Sequence, residues 1–160
     1  MTEQPAPIEA THPPEALLKM VNPVLRRALR SPLGRGLDAF MLVEFTGRKT
    51  GRRFSVPVSA HRLDGDLYAV LEAPWKYNFR GGADAVVYHR GRRRAMRGEL
   101  VTEPATVVEI VDRLARAYGP ERARRYMGMG FRDNRLPTPA DWRDAVDRTG
   151  LATIRLTPRT

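Results

Sequence analysis

The sequence predicts an α+β fold: an antiparallel barrel of five to six strands, flanked by N- and C-terminal helices. Three observations lead there. Short apolar runs separated by Gly-containing turns recur between residues 37 and 102, the spacing of a meander of hairpins. The apolar period turns helical after Pro104. A last β-rich run, residues 151–156, follows the helices and can return to cover a barrel edge. At 160 residues and 42% hydrophobic content the chain is long enough for one domain with a real core.

Residues 1–14 hold four prolines and little apolar content, and read as a disordered arm before a single domain spanning 15–160. Residues 15–30 are helical in pattern, with Leu17, Val21, Val24, Leu25 and Ala28 on one face. Asn22-Pro23 resembles an N-cap followed by Pro at the first helical position, so this helix is expected to break in two. Its basic face can lie on a membrane, although packing on its own domain is the plainer reading. Residues 37–45 form strand one. Residues 54–62 form strand two, with Phe54, Val56, Val58 and Ala60 on one face and Ser55, Pro57, Ser59 and His61 on the other. Pro57 cannot donate to a ladder and marks an edge, a bulge or a ligand-facing position. Asp64-Gly65 is a hairpin turn, and 67–71 is strand three. Residues 74–80, P-W-K-Y-N-F-R, read as one or two helical turns stopped by Gly81-Gly82. Strands four and five, 83–89 and 93–102, flank a turn at 90–92. Helices follow at 104–118, 121–127 and 138–148, with Thr138 as N-cap and Pro139 at the first helical position.

Composition narrows the function. Cysteine is absent, which excludes disulfides and Cys-ligated metals and fits a cytoplasmic protein. The three histidines, His12, His61 and His89, are scattered without metal spacing, so no metal site is expected. There is no run of 18 apolar residues and no signal-peptide pattern. Net charge is +10, from 25 Arg and 3 Lys against 18 acidic residues. Such a chain attracts polyanions: nucleic acid, anionic lipid or a phosphorylated small molecule. No Ser/His/Asp or paired-carboxylate arrangement is legible, so no catalytic side chain is expected; a cofactor would do the chemistry.

The most informative stretch is residues 46–53, T-G-R-K-T-G-R-R, between strands one and two. A tight turn needs only Gly47 and Gly51. Arg48, Lys49, Thr50, Arg52 and Arg53 need a second reason. Backbone N–H groups in such a turn, with Arg, Lys and Thr donors beside them, make an anion receptor. The bland alternative is a basic, solvated turn.

The T-G-R-K-T-G turn, the following V-P-V strand, Asp-Gly, and then P-W-x-x-N-F-R resemble the deazaflavin-dependent nitroreductase-like family, flavin/deazaflavin oxidoreductases built on a split β-barrel. The resemblance covers residues 22–101 well and the rest weakly. It implies a split barrel whose groove holds coenzyme F-420, with FMN as the second choice. It further implies a cofactor site of Arg48, Lys49, Thr50, Gly51, Arg52, Arg53, Pro57, Trp75 and Asn78. Trp75, Tyr118 and Tyr126 would line the substrate pocket; core packing is the alternative for Trp75, and helix packing for the two tyrosines. The expected reaction is hydride transfer from a reduced deazaflavin to a quinone, nitro compound or other conjugated, hydrophobic acceptor. Two departures stand out. Phe54 replaces an Arg that many members carry, and Leu71-Glu72-Ala73-Pro74 replaces a longer Gly-rich loop.

Other readings of the same residues remain open: a non-catalytic barrel for a flavin, lipid or haem-like ligand, or a binder of nucleic acid or anionic membrane. Nucleic acid is the least favoured partner, because Arg90-Gly91-Arg92-Arg93-Arg94 is most simply a solvated hairpin rim. A homodimer and peripheral membrane contact through the N-terminal helix are compatible with the sequence.

Overall fold

The computed structural model describes residues 8–10, 15–127, 129–131 and 135–159. In chain order the elements are β1 (Ile8–Ala10), α1 (Glu15–Arg30), β2 (Phe40–Thr46), β3 (Arg53–Ser59), β4 (His61–Leu63), β5 (Asp66–Leu71), β6 (Ala83–His89), β7 (Arg92–Val101), α2 (Pro104–Tyr118), α3 (Pro120–Met127), β8 (Met129–Phe131), α4 (Pro139–Thr149) and β9 (Ala152–Pro158). Two 3-10 turns, Pro32–Gly36 and Pro74–Phe79, join α1 to β2 and β5 to β6.

Seven strands form one antiparallel sheet in the order β3-β2-β6-β7-β9-β5-β4. Its two edges are consecutive in the chain. The chain from Arg53 to Leu63 runs beside β2 as far as Ala60, whose N–H donates to the Ala39 carbonyl at 2.8 Å. At His61 it pairs instead with Tyr68 of β5. One bent strand thus serves both edges and curls the sheet into a split barrel. Every residue of β3 after Arg53 is half-buried, as expected for a strand beside an incompletely closed seam.

Period-two alternation decides what lies inside. Met41, Val43 and Phe45 of β2, Ala85 and Val87 of β6, and Met96 of β7 belong to the barrel core, and Phe54, Val56, Val58 and Ala60 pack against it. A second core lies between α2, α3 and α4 and the outer side of β5, centred on Trp142, Leu114 and Tyr68. Full burial of side chains of this size contributes about 1.5–3 kcal/mol each. Pro104 and Gly119 bound α2, and Thr138 caps α4 as its residue type predicts, with Asp141 completing a capping box.

Four expectations need correction. Helix α1 does not break at Pro23; it runs through it for 16 residues. An interior Pro costs about 3 kcal/mol or more, but the last turn is anchored. Leu29 is buried, and the Arg30 guanidinium donates to Ser55 Oγ at 2.9 Å and pairs with Glu44. The first barrel strand starts at Phe40, not residue 37, because Leu37 caps the preceding 3-10 turn through its N–H to Gly34. The final strand covers no edge: β9 is interior, between β7 and β5. Met129–Phe131, outside every expected element, is a strand that pairs with Ile8–Ala10, within the segment expected to be an arm. Among the described residues no helix is long and apolar enough to cross a membrane.

Candidate functional site

The β2–β3 connection is built as a closed loop. The Gly47 N–H donates to the Arg52 carbonyl at 2.7 Å, and the Gly51 N–H to the Gly47 carbonyl at 3.0 Å. Gly51 takes φ 70°, a conformation costly for other residues. Gly47 is required for space: a Cβ there would lie 2.7 Å from the Phe54 ring. Thr50 Oγ1 accepts from the Arg52 N–H at 3.3 Å. The Arg48 N–H is taken by Asn78 Oδ1 at 2.9 Å, and its guanidinium donates to the carbonyls of Arg80 and Gly82. Between Gly47 and Arg52, three N–H groups are thus used within the turn and a fourth by Asn78; Lys49 and Thr50 carry the N–H groups outside that set. Lys49, Thr50, Arg52 and Arg53 are exposed.

Asn78 couples this turn to the Trp segment. While its oxygen holds Arg48, its Nδ2 donates to the Trp75 carbonyl at 2.8 Å. Its amide therefore serves main chain on both sides. Beside it stands an aromatic stack centred on Phe45. Phe54 and Trp75 each lie 5.4 Å from the Phe45 ring, at 19° and 24°, and Phe79 meets it edge-on at 5.1 Å. Phe79 is fully buried and fits only because residue 98 is Gly, where a Cβ would approach its ring to 2.5 Å. Trp75 and Phe54 are only half-buried. The Arg52 guanidinium lies 5.7 Å from the Phe54 ring centre, so cationic turn and aromatic stack adjoin.

Not every expected site residue joins them. On β3, Arg53 and Pro57 alternate with Phe54, Val56 and Val58, and so lie on the outer face of the sheet. Pro57 sits on an edge strand, where its missing N–H costs least. Trp75 and Tyr118 are at opposite ends of the barrel. Trp75 stacks on Phe45 near the end of β2, whereas Tyr118 shares a cavity of about 280 Å3 with Ala39, Ala60, Arg62, His89 and Arg90, where β2 begins. The side chain of Tyr126 lies outside the described residues.

The structure adds contacts that the sequence did not flag. Tyr118 Oη lies 2.7 Å from His61 Nδ1, and burial pushes the His61 imidazole down to about 4, so it is neutral near pH 7. Lys76, one residue after Trp75, is buried. Its ammonium donates to the Gly150 carbonyl at 2.6 Å and the Glu72 carbonyl at 3.0 Å. Desolvation lowers its pKa, and the neighbouring Glu72 charge opposes that shift. A chain-local signal for this was absent, since Gly150 is 74 residues away. A second cavity, of about 440 Å3, opens at the Tyr118 end and is ringed by arginines. Among the described residues no group of three or more His, Asp or Glu side chains could hold a metal ion.

No family model and no curated protein matches the sequence. Among solved structures the chain is similar to a conserved hypothetical protein of Mycobacterium tuberculosis, at 16% identity and TM-score 0.46 over 99% of this chain and 87% of that one. It is also similar to an F420-H2-dependent reductase, at 14% identity and TM-score 0.44 over 74% and 94%. A third is the heme storage protein of Vibrio cholerae, at 8% identity and TM-score 0.46 over 80% and 87%. At these scores no residue role transfers from any of them.

Proposed function

We propose that the protein is a deazaflavin-dependent oxidoreductase whose cofactor occupies the end of the barrel built from residues 47–54 and 75–79. One observation carries this reading: an exposed cationic turn and a half-exposed aromatic stack adjoin there, joined through Asn78. The donor set fits an anionic, planar-ringed molecule. Lys49, Thr50 and Arg52 offer charge and a hydroxyl for the anionic part, and Gly51 lets a ligand approach the backbone closely. Trp75 and Phe54 offer a flat apolar surface for the ring. Arg48 and Asn78 position the turn rather than contact the ligand, because their polar atoms are engaged with main chain. Arg53 and Pro57, on the outer face, are assigned no contact.

When bound, a reduced deazaflavin would supply a hydride to a conjugated acceptor. The chain's part is to hold the ring against Trp75, keep water from it with the apolar wall of Phe54, Val56 and Val58, and fix the anionic end at the turn.

The test is titration of reduced deazaflavin and of FMN into the wild type, Lys49→Ala and Arg143→Ala. Arg143 is an exposed arginine paired with Asp147 on α4. A charge-assisted contact contributes about 1.5–3 kcal/mol, so Lys49→Ala should weaken deazaflavin binding roughly ten- to a hundredfold. Arg143→Ala should leave it unchanged. Equal binding by both variants would remove the turn as the anion site. Tight binding without oxidation of the bound reduced cofactor by a quinone or nitro acceptor would make this a non-catalytic carrier, and preference for FMN would replace the cofactor.

A further inference from the structure

We propose that the opposite end of the barrel is a second ligand site, which takes a small organic phosphate with an apolar end. The inner face of the sheet changes character there. Along β7 the inward series Leu100, Gly98, Met96 continues as Arg94 and Arg92, while Arg93, Ala95 and Arg97 alternate outward. On β6 the inward series Ala85, Val87 ends in His89. On β4, Arg62 lies directly across from the core residue Leu67.

Arg62, His89, Arg92 and Arg94, with Arg35 and Arg90, line the 440 Å3 cavity, whose floor is Leu67, Val87 and Met96. The floor residues are buried and the arginines exposed, so apolar walls pass into cationic ones along one cavity. Its volume is that of a small-molecule pocket and too small for a nucleic-acid duplex.

Charge matching points the same way. Eight arginines elsewhere, Arg30 and Arg97 among them, each pair with a carboxylate. Among the described residues none of the five at this mouth does; Arg52, Arg53 and Arg93 lack such a pair as well, but these five converge on one cavity. Aligning unmatched guanidiniums on one inward face is unfavourable by like-charge repulsion, and a phosphate that accepts their forked donors removes that cost.

The ring is also built rather than splayed. Arg90 and Gly91 have φ of 56° and 75°, forming the tight β6–β7 turn. A Cβ on Gly91 would lie 2.9 Å from Arg35 Cγ, and one on Gly34 would lie 3.2 Å from the Gly91 nitrogen. The hairpin tip and the 3-10 turn therefore interlock, which sets Arg35 over the arginines of β7. His89 donates from Nε2 to the Asp38 carbonyl at 2.8 Å, holding its ring at the same mouth. This site is distinct from the cationic turn: the two lie at opposite ends of β2, seven residues long, hence about 20 Å apart.

The test uses hexyl phosphate, inorganic phosphate and hexanol, titrated calorimetrically into the wild type, Arg94→Ala, Arg93→Ala and Lys49→Ala. Arg93 and Arg94 are neighbours on one strand with equal charge and opposite faces. We expect hexyl phosphate to bind at least about tenfold more tightly than inorganic phosphate, through burial of its chain on the apolar floor, and hexanol not to bind measurably. Arg94→Ala should weaken hexyl phosphate roughly ten- to a hundredfold. Arg93→Ala and Lys49→Ala should change it less than about twofold. Equal losses for Arg93→Ala and Arg94→Ala would reduce the site to a diffuse basic surface and overturn the proposal, as would loss on Lys49→Ala alone. Cosedimentation with phosphatidic acid vesicles, in addition to hexyl phosphate binding, would identify the source as a lipid headgroup. Hexyl phosphate binding without cosedimentation would identify a soluble phosphate. Cosedimentation with no hexyl phosphate binding would overturn the pocket in favour of a membrane face.

Discussion

His61 shows how one residue makes a barrel pH-sensitive. It sits where the bent strand changes partners, is 1% exposed, and shares its Nδ1 with the Tyr118 hydroxyl. Burial disfavours the charged ring, so its folded pKa of about 4 lies below the ordinary value of 6.5. Below pH 6.5 the unfolded chain binds a proton that the native state refuses. The stability is therefore complete above 6.5 and is lost progressively as pH falls toward 4. Between pH 7.5 and 5 the loss should be roughly 2 kcal/mol. Carboxylates titrate in part of the same range, so the measurement is a difference. Urea unfolding of His61→Gln, which keeps a hydrogen-bonding partner for Tyr118, should be flatter with pH than the wild type by about that amount. Parallel pH profiles would show that His61 is not buried neutral in the native protein.

At the scale of elements, the cationic turn and the Trp segment behave as one unit because Asn78 bonds to both. Deleting its amide in Asn78→Ala removes an acceptor from the Arg48 N–H and a donor from the Trp75 carbonyl, at a cost of roughly 1–2 kcal/mol with water free to replace the partners. The local consequence is sharper than the global one. Hydrogen exchange at the Arg48 amide should accelerate while amides in β6 keep their protection. Asn78→Asp retains the acceptor oxygen and should keep the Arg48 amide protected. An Arg48 amide as slow in Asn78→Ala as in the wild type would mean that the two segments are held together by packing on Phe45 alone.

For the whole molecule, closure depends on two features far apart in sequence: the partner change at Ala60–His61 and the insertion of β9 between β7 and β5. Strand β9 carries Ile154 and Leu156 into the barrel core and pairs on both sides. Without it, β5 and β4 lose their connection to the rest of the sheet. A chain cut after Gly150 should show no cooperative thermal transition and no dispersed amide spectrum. A truncated chain that melted cooperatively near the wild-type temperature would show that β9 adds to a barrel already complete.

Much of this architecture was written locally. Pro104 and Gly119 bound α2 because one needs no N–H partner and the other accepts a positive φ. Asp64-Gly65 turns the chain because both take positive φ, 53° and 86°. The loose alternation of residues 54–60 identified the face that packs into the barrel, and the glycines and cations of residues 46–53 marked a turn of unusual chemistry. Pairing was not legible, because a period of two tells which face is apolar and nothing about which strand lies alongside. Thus β9 reads as an edge from its position in the chain yet lies inside the sheet. Helix α1 continues through Pro23, and its last turn is held beyond that residue, with Leu29 buried and Arg30 bonded to Ser55 and Glu44. Lys76 is buried because a carbonyl 74 residues away accepts from it. Trp75 and Tyr118 were expected in one pocket and lie at opposite ends of the barrel. Arg90-Gly91-Arg92-Arg93-Arg94 reads as a solvated hairpin rim, but the curled sheet turns Arg92 and Arg94 to the same side as Met96, around the second cavity. Local chemistry determines turns, caps and faces; which faces meet is decided by contacts between segments that the chain keeps far apart.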